Sequence, residues 1–154
     1  MKKFVFTLQP LFNYKQTVEK LQKAELRRAQ QALRELLAEE ERLLRAYSDN
    51  ERSLEKALRE NINVAAELIE HDAYFRFLRD ALSELRERIV KAEEVVAMCQ
   101  ERLIVTMKEI KTYNKLRAEQ YQEYLKEVQT EEDKNMGDLV SFNTISELAG
   151  DQSG

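Results

Sequence analysis

The chain has 154 residues, of which 35% are Asp, Glu, Lys or Arg, and a formal net charge of −4. Its one proline is at position 10 and its glycines are at 137, 150 and 154, so residues 11–136 contain neither of the residues that punctuate loops. This excludes a sandwich, a barrel, a Rossmann fold and any glycine-rich phosphate loop, and leaves long helices.

The opening, Met1 to Pro10, is basic but lacks the apolar run and small-residue cleavage site of a secretory leader. No stretch of about 18 apolar residues is present to span a membrane. A single cysteine allows no intramolecular disulfide and fits a reducing compartment. The expectation is a soluble cytoplasmic protein. Residues 1–118 carry 23 basic and 20 acidic side chains, whereas residues 119–154 carry 2 and 9. The acidic end disfavours nucleic acid and anionic lipid as partners.

Residues 1–9 read as an N-terminal extension, and Pro10 suits a first helical turn, where its missing N–H would be unpaired anyway. Helix 1 is predicted over 10–60. An 11-residue spacing links Leu21, Ala32, Leu43, Leu54 and Ala65, and another links Leu36, Tyr47, Leu58 and Ile69. Eleven residues over three turns predicts a nearly straight helix. A turn is predicted at 61–63, with Asn63 as the N-cap of the next helix, because asparagine tolerates left-handed backbone and caps N-termini. A break at Ser48-Asp49-Asn50 ranks second, since it would interrupt the Leu36/Tyr47/Leu58 series.

Helix 2 is predicted over 64–134. Leu68, Phe75, Leu82, Ile89, Val96, Leu103 and Ile110 fill heptad position a. Val64, His71, Leu78, Leu85, Ala92, Cys99, Thr106 and Tyr113 fall at d, with His71 and Thr106 as lapses. Sustained a/d apolarity keeps one seam facing a partner helix. Residues 135–154 read as an acidic, disordered tail. The fold class is therefore all-α: a long antiparallel two-helix coiled-coil hairpin. With the turn centred near 62, residue i should face residue 124−i. Helix 1 is then used up near residue 115, and the rest of helix 2 overhangs.

Leu116, Tyr121, Tyr124, Leu125 and Val128 lie on that overhang. Either Phe4, Val5, Phe6 and Leu8 fold back over them, or both ends form an apolar plug for another protein. A second cluster is aromatic. Tyr47 should face Phe77, with Tyr74, Phe75, Leu78, Leu43 and Leu44 nearby. Phe75, Leu78 and Tyr47 read as core. Tyr74 and Phe77 fall outside a/d and form either a docking patch or loose edge packing. His71 and Cys99 read as seam residues. No HExxH or CxxC motif occurs, and charge runs such as Glu39-Glu40-Glu41 read as solvated helix faces. No catalytic residue, metal ligand, cofactor or small-molecule substrate is expected.

These residues together resemble a known family. The start Phe4-x-Phe6-x-Leu8-Gln9-x-Leu11-x-x-Tyr14-Lys15, the run Asn63-Val64-Ala65-Ala66-Glu67-Leu68 followed by Tyr74-Phe75-Arg76-Phe77-Leu78 and Leu82, and the basic stretch Lys108 to Arg117 running into Glu119-Gln120-Tyr121 are similar to the flagellar export protein FliJ, over about residues 4–125. The resemblance implies a hairpin like the central stalk of rotary ATPases. It implies a cytoplasmic component of the flagellar type III export apparatus, peripherally associated with the membrane-bound machinery. It also implies three partners: a hexameric export ATPase whose ring it promotes, the transmembrane export gate protein, and flagellar export chaperones.

With the overhang, it points to Phe4, Phe6, Leu8, Leu11, Leu116, Tyr121, Tyr124 and Leu125 for the ATPase. It points to Leu44, Tyr47, Tyr74, Phe75 and Phe77 for the gate and chaperones. Leu44 and Tyr47 match the family's Leu-x-x-Tyr pair. Glu51 stands where a further aromatic would follow, and the aromatic position on helix 2 falls on Phe75 or Phe77. The alternatives are a self-associating coiled-coil scaffold and the analogous stalk of a virulence secretion system.

Overall fold

The structure, a computed structural model, describes residues 2–61 and 63–152. It is an all-α helical hairpin of two long packed helices, α1 (Gln9–Glu60, 52 residues) and α2 (Val64–Gln152, 89 residues). At the start of α1 the Phe6 carbonyl accepts the Gln9 N–H at 3.0 Å and the Leu8 carbonyl accepts the Phe12 N–H at 2.9 Å. Pro10 sits inside this first turn, where it breaks no ladder bond.

At the other end of α1, Asn61 has φ 52° and donates its N–H to the Leu58 carbonyl at 3.3 Å. Asn63 has φ 40°, and its carbonyl accepts the Glu67 N–H at 3.0 Å, opening α2. Two asparagines supply the left-handed backbone that a β-branched residue adopts only at a cost. The turn expected at 61–63 includes Ile62, which lies outside the described residues.

The chain forms two compact units, residues 18–105 and residues 1–17 with 106–154. In the first, α1 and α2 pack along a heptad seam. Leu78, Leu82, Leu85, Ile89 and Leu103 are buried, and Phe75, Ala92, Val96 and Cys99 are half-buried. Leu68 is the exception at position a and is exposed. In the second unit Phe6, Phe12 and Thr106 are buried, and Ile110, Tyr113 and Leu116 are half-buried.

Three expectations give way. The 11-residue series marks the buried side of α1 only in part: Leu36, Leu43, Tyr47 and Leu54 are half-buried, but Leu21, Ala32 and Leu58 are exposed. The buried side follows seven-residue spacing instead. Within residues 18–105 it runs through Glu19, Leu26, Leu33, Glu40, Tyr47 and Leu54, with Gln22, Ala29, Leu36, Leu43, Asn50 and Ala57 between them. Four polar residues on this line hide the heptad from a hydrophobicity count. The helix predicted to stop near 134 instead runs to Gln152, so residues 135–152 are helical rather than a tail apart from it. Its interior holds no proline, and Gly137 costs only about 1 kcal/mol relative to alanine. Finally, cross-helix pairs do not keep a fixed sum of 124. Asn50 meets His71, Tyr47 meets Phe75 and Glu40 meets Arg86.

Candidate partner-binding surfaces

In the unit of residues 18–105, two polar residues of α1 on the seam, Asn50 and Glu40, find partners on α2. The Asn50 amide nitrogen donates to the His71 carbonyl at 3.2 Å, and its oxygen lies 2.5 Å from His71 Nδ1. The other ring nitrogen lies 3.1 Å from Glu67 Oε2. The lapse at d is thus filled by a matched polar group across the seam. Asn50 is 8% exposed, so leaving its amide unpaired would be costly. Glu40 reaches Arg86 at 3.5 Å.

This pin lies one turn from the expected aromatic patch and shares its register. Tyr47 packs on Phe75, with ring centres 4.8 Å apart and an interplanar angle of 54°. The expected Tyr47–Phe77 pairing is therefore replaced by Tyr47–Phe75, because the paired positions near the turn add to 121 and 122. Tyr47 and Phe75 are half-buried between the helices. Phe77 faces out and stacks on Tyr74, with ring centres 6.3 Å apart and planes within 13°. Leu44, Tyr74 and Phe77 are exposed, as are Leu68 and Ile69. The five expected patch residues thus divide into a packed pair, Tyr47 and Phe75, and an outward group, Leu44, Tyr74 and Phe77.

In the unit of residues 1–17 and 106–154, the segment before α1 lies along α2. Phe4 packs against Tyr121 at 5.1 Å and Tyr124 at 5.5 Å, and the Tyr124 hydroxyl donates to the Lys2 carbonyl at 2.8 Å. Phe6 is buried, and Leu8, Leu116 and Tyr124 are half-buried. Val5 points outward, and Phe4 makes the fold-back over the overhang, on Tyr121 and Tyr124. Leu11, Tyr121 and Leu125 stay exposed.

Nearer the turn of α1, Phe12 meets Tyr113 edge-on at 6.4 Å, and the Lys15 ammonium pairs with the Glu109 carboxylate. The hydrogen bond to Glu109 raises the Lys15 pKa above its ordinary value. A shallow cleft beside the N-terminal segment has Lys2 and Lys3 on one wall and Glu123, Glu127 and Glu131 on the other.

Beyond this strap, α2 continues with its side chains in the open. Met136, Leu139, Val140, Phe142, Ile145 and Leu148 are 59–67% exposed. This group escaped the sequence reading because the acidic, glycine-containing context suggested disorder. The signal was present in the apolar residues at three- and four-residue steps. Among the described residues no group of three or more His, Cys, Asp or Glu is placed to hold a metal ion. No helix of the described residues is long and apolar enough to cross a membrane.

Paired heptad seams on two long antiparallel helices define the class of this molecule, an α-helical coiled-coil hairpin. The family model described as "Flagellar FliJ protein" matches residues 4–148, and the chain belongs to that family. It is a component of the flagellar export apparatus. No curated protein and no solved structure matches the chain.

Proposed function

We propose that the chain is a non-catalytic stalk and escort component of the flagellar export apparatus. It binds the hexameric export ATPase through the unit that carries its N-terminus and the far part of α2, and it promotes assembly of the ATPase ring. It contacts the transmembrane export gate protein and export chaperones through the outward aromatic group on residues 18–105. It works in the cytoplasm, peripherally associated with the membrane-bound machinery, and uses no cofactor and no small-molecule substrate.

The observation that carries this reading is the apolar surface left open where α2 outlasts α1. Val5, Leu11, Tyr121 and Leu125 are exposed there. Exposed apolar area of this kind on a charged helical protein marks a protein-interaction site. Family membership supplies the machinery in which the partner is sought. The test is binding to, and stimulation of, the purified export ATPase from the same bacterium. Removing residues 1–9 and 120–154 should abolish both effects. Unchanged binding and stimulation would end the proposal.

A further inference from the structure

The side of α2 that faces away from α1 breaks a rule that the outward side of α1 keeps. Opposite an a/d seam lie heptad positions b, c and f, which are solvated and normally polar. The outward side of α1 conforms, with Lys20, Arg27, Arg34, Glu41, Arg45 and Arg52 exposed on it. On α2 the b and c positions from 90 to 105 hold Lys91 and five apolar residues, Val90, Ala97, Met98, Ile104 and Val105. Val90, Met98, Ile104 and Val105 are 50–53% exposed.

Position f runs down the middle of this face as Glu87, Glu94, Glu101, Lys108 and Lys115, so its charge changes sign after Glu101. Elsewhere exposed charges of these helices pair at four-residue steps, as Glu41 does with Arg45 and Asp72 with Arg76. No basic residue stands three or four positions from Glu101, and no acidic one stands so from Lys108. The helical spacing that pairs the other charges therefore offers these two nothing.

We infer that two copies of the chain pair through this face, α2 against α2, antiparallel about a two-fold axis between Ile104 and Val105. A two-fold interface is self-complementary: if residue i meets residue j, then j meets i. Residues level with one another then add to 209, which sets Glu101 beside the second copy's Lys108 and Glu94 beside its Lys115, each pair occurring twice. Ile104 and Val105 meet at the axis and shield one another from water. Charge selects this arrangement. A parallel pair would set each f residue against its own copy, like against like, and an axis one heptad nearer the turn would set Glu94 against Glu101. Only a few apolar residues take part, whereas stable interfaces bury about 1,200–2,000 Å². The dimer is therefore reversible, and salt weakens it by screening its charge pairs.

The test is sedimentation equilibrium of the full-length chain, from micromolar to submillimolar concentration, in low and high salt. Beside the wild type stand Glu101→Lys, Lys108→Glu, the two reversals combined, and Ile104→Asp. All three sites are exposed, and circular dichroism checks that the helices are intact. The wild type should form a reversible dimer that is weaker in high salt. Each single reversal and Ile104→Asp should weaken it at least tenfold, and the combined reversal should restore wild-type affinity.

A wild-type chain that stays monomeric throughout would overturn the inference. A dimer that survives Ile104→Asp would overturn the face, and so would one dissociated by Ile145→Asp instead. Single reversals without effect, or a combined reversal that fails to recover, would overturn the antiparallel register. Failure on any of these counts leaves the proposed function standing, because no export partner enters the measurement.

Discussion

The two units solve the same packing problem with different materials. Residues 18–105 pair helix with helix, and two of the polar residues that enter the seam are met across it, Asn50 by His71 and Glu40 by Arg86. The other unit lacks a second helix for most of its length. There an extended strap, Lys2 to Leu8, takes the place of α1 by laying Phe4 on Tyr121 and Tyr124. Past the strap nothing among the described residues covers the helix. Both units leave apolar side chains exposed: Leu44, Tyr74 and Phe77 lie off the seam of the first, and Leu139, Phe142 and Ile145 lie on the bare end of α2 in the second. Surface for a partner is offered beside a closed seam in one unit and where pairing runs out in the other.

The sharpest way to break this contrast is to remove a seam leucine. Leu78 is 1% exposed, and Leu78→Ala should cost about 2–5 kcal/mol in urea unfolding, through lost burial and a cavity. A cost below about 1 kcal/mol would mean the seam does not carry the unit. Next in size is the pin. Asn50→Ala strips His71 of its partner across the helices and should cost about 1–3 kcal/mol by the same measurement. Asn50 and His71 should also show coupling in a double-mutant cycle, whereas Asn50 and the distant Cys99 should not.

Smaller effects separate packed from outward aromatics. Tyr47→Ala removes a half-buried ring from its contact with Phe75 and should destabilise by about 1–3 kcal/mol. Phe77→Ala takes away an exposed ring and should stay within about 1 kcal/mol. If the outward group docks the export gate, Phe77→Ala should weaken gate-protein binding in calorimetry despite that small change in stability. Equal destabilisation by both substitutions would erase the distinction between the two rings.

The smallest effect is electrostatic. Lys15 has a raised pKa in the folded chain, chiefly through its hydrogen bond to Glu109. A raised folded value means the pair's stabilisation is fully present below the ordinary lysine value of 10.5 and is lost as pH rises through the folded value above it. Melting temperature should therefore fall across that alkaline window, and Glu109→Gln should flatten the fall. The pair is solvent-accessible, so added salt should shrink the effect.

The helices and their hairpin were legible because the relevant signals are local. A proline-free and glycine-free stretch of this length has few alternatives to helix, and the a/d series of α2 is apolar with two exceptions. The seam of α1 was not legible by hydrophobicity, since Glu19, Gln22, Glu40 and Asn50 sit on it. The partners of Glu40 and Asn50 lie on the other helix, so nothing near those two in sequence announces that they face inward. Pairing Tyr47 with Phe77 failed for a related reason. Register near the turn pairs Asn50 with His71 and Tyr47 with Phe75, a two-residue slip from the expected Phe77. Among the candidate partner-binding residues, the outward placement of Tyr74 and Phe77 could be read from their lying off the seam. The burial of Phe6 depended on where the strap was laid.

From the sequence alone came the all-α class, the single reversal of direction and the line of α2 that faces its neighbour, all consequences of helical period and residue propensity, but not the helix beyond residue 134. Tertiary structure decided which side of α1 is buried, which aromatics meet, and where coverage of α2 ends. Those outcomes depend on matched polar groups and on the path of seven residues outside any helix. Neither has a period that a sequence can display.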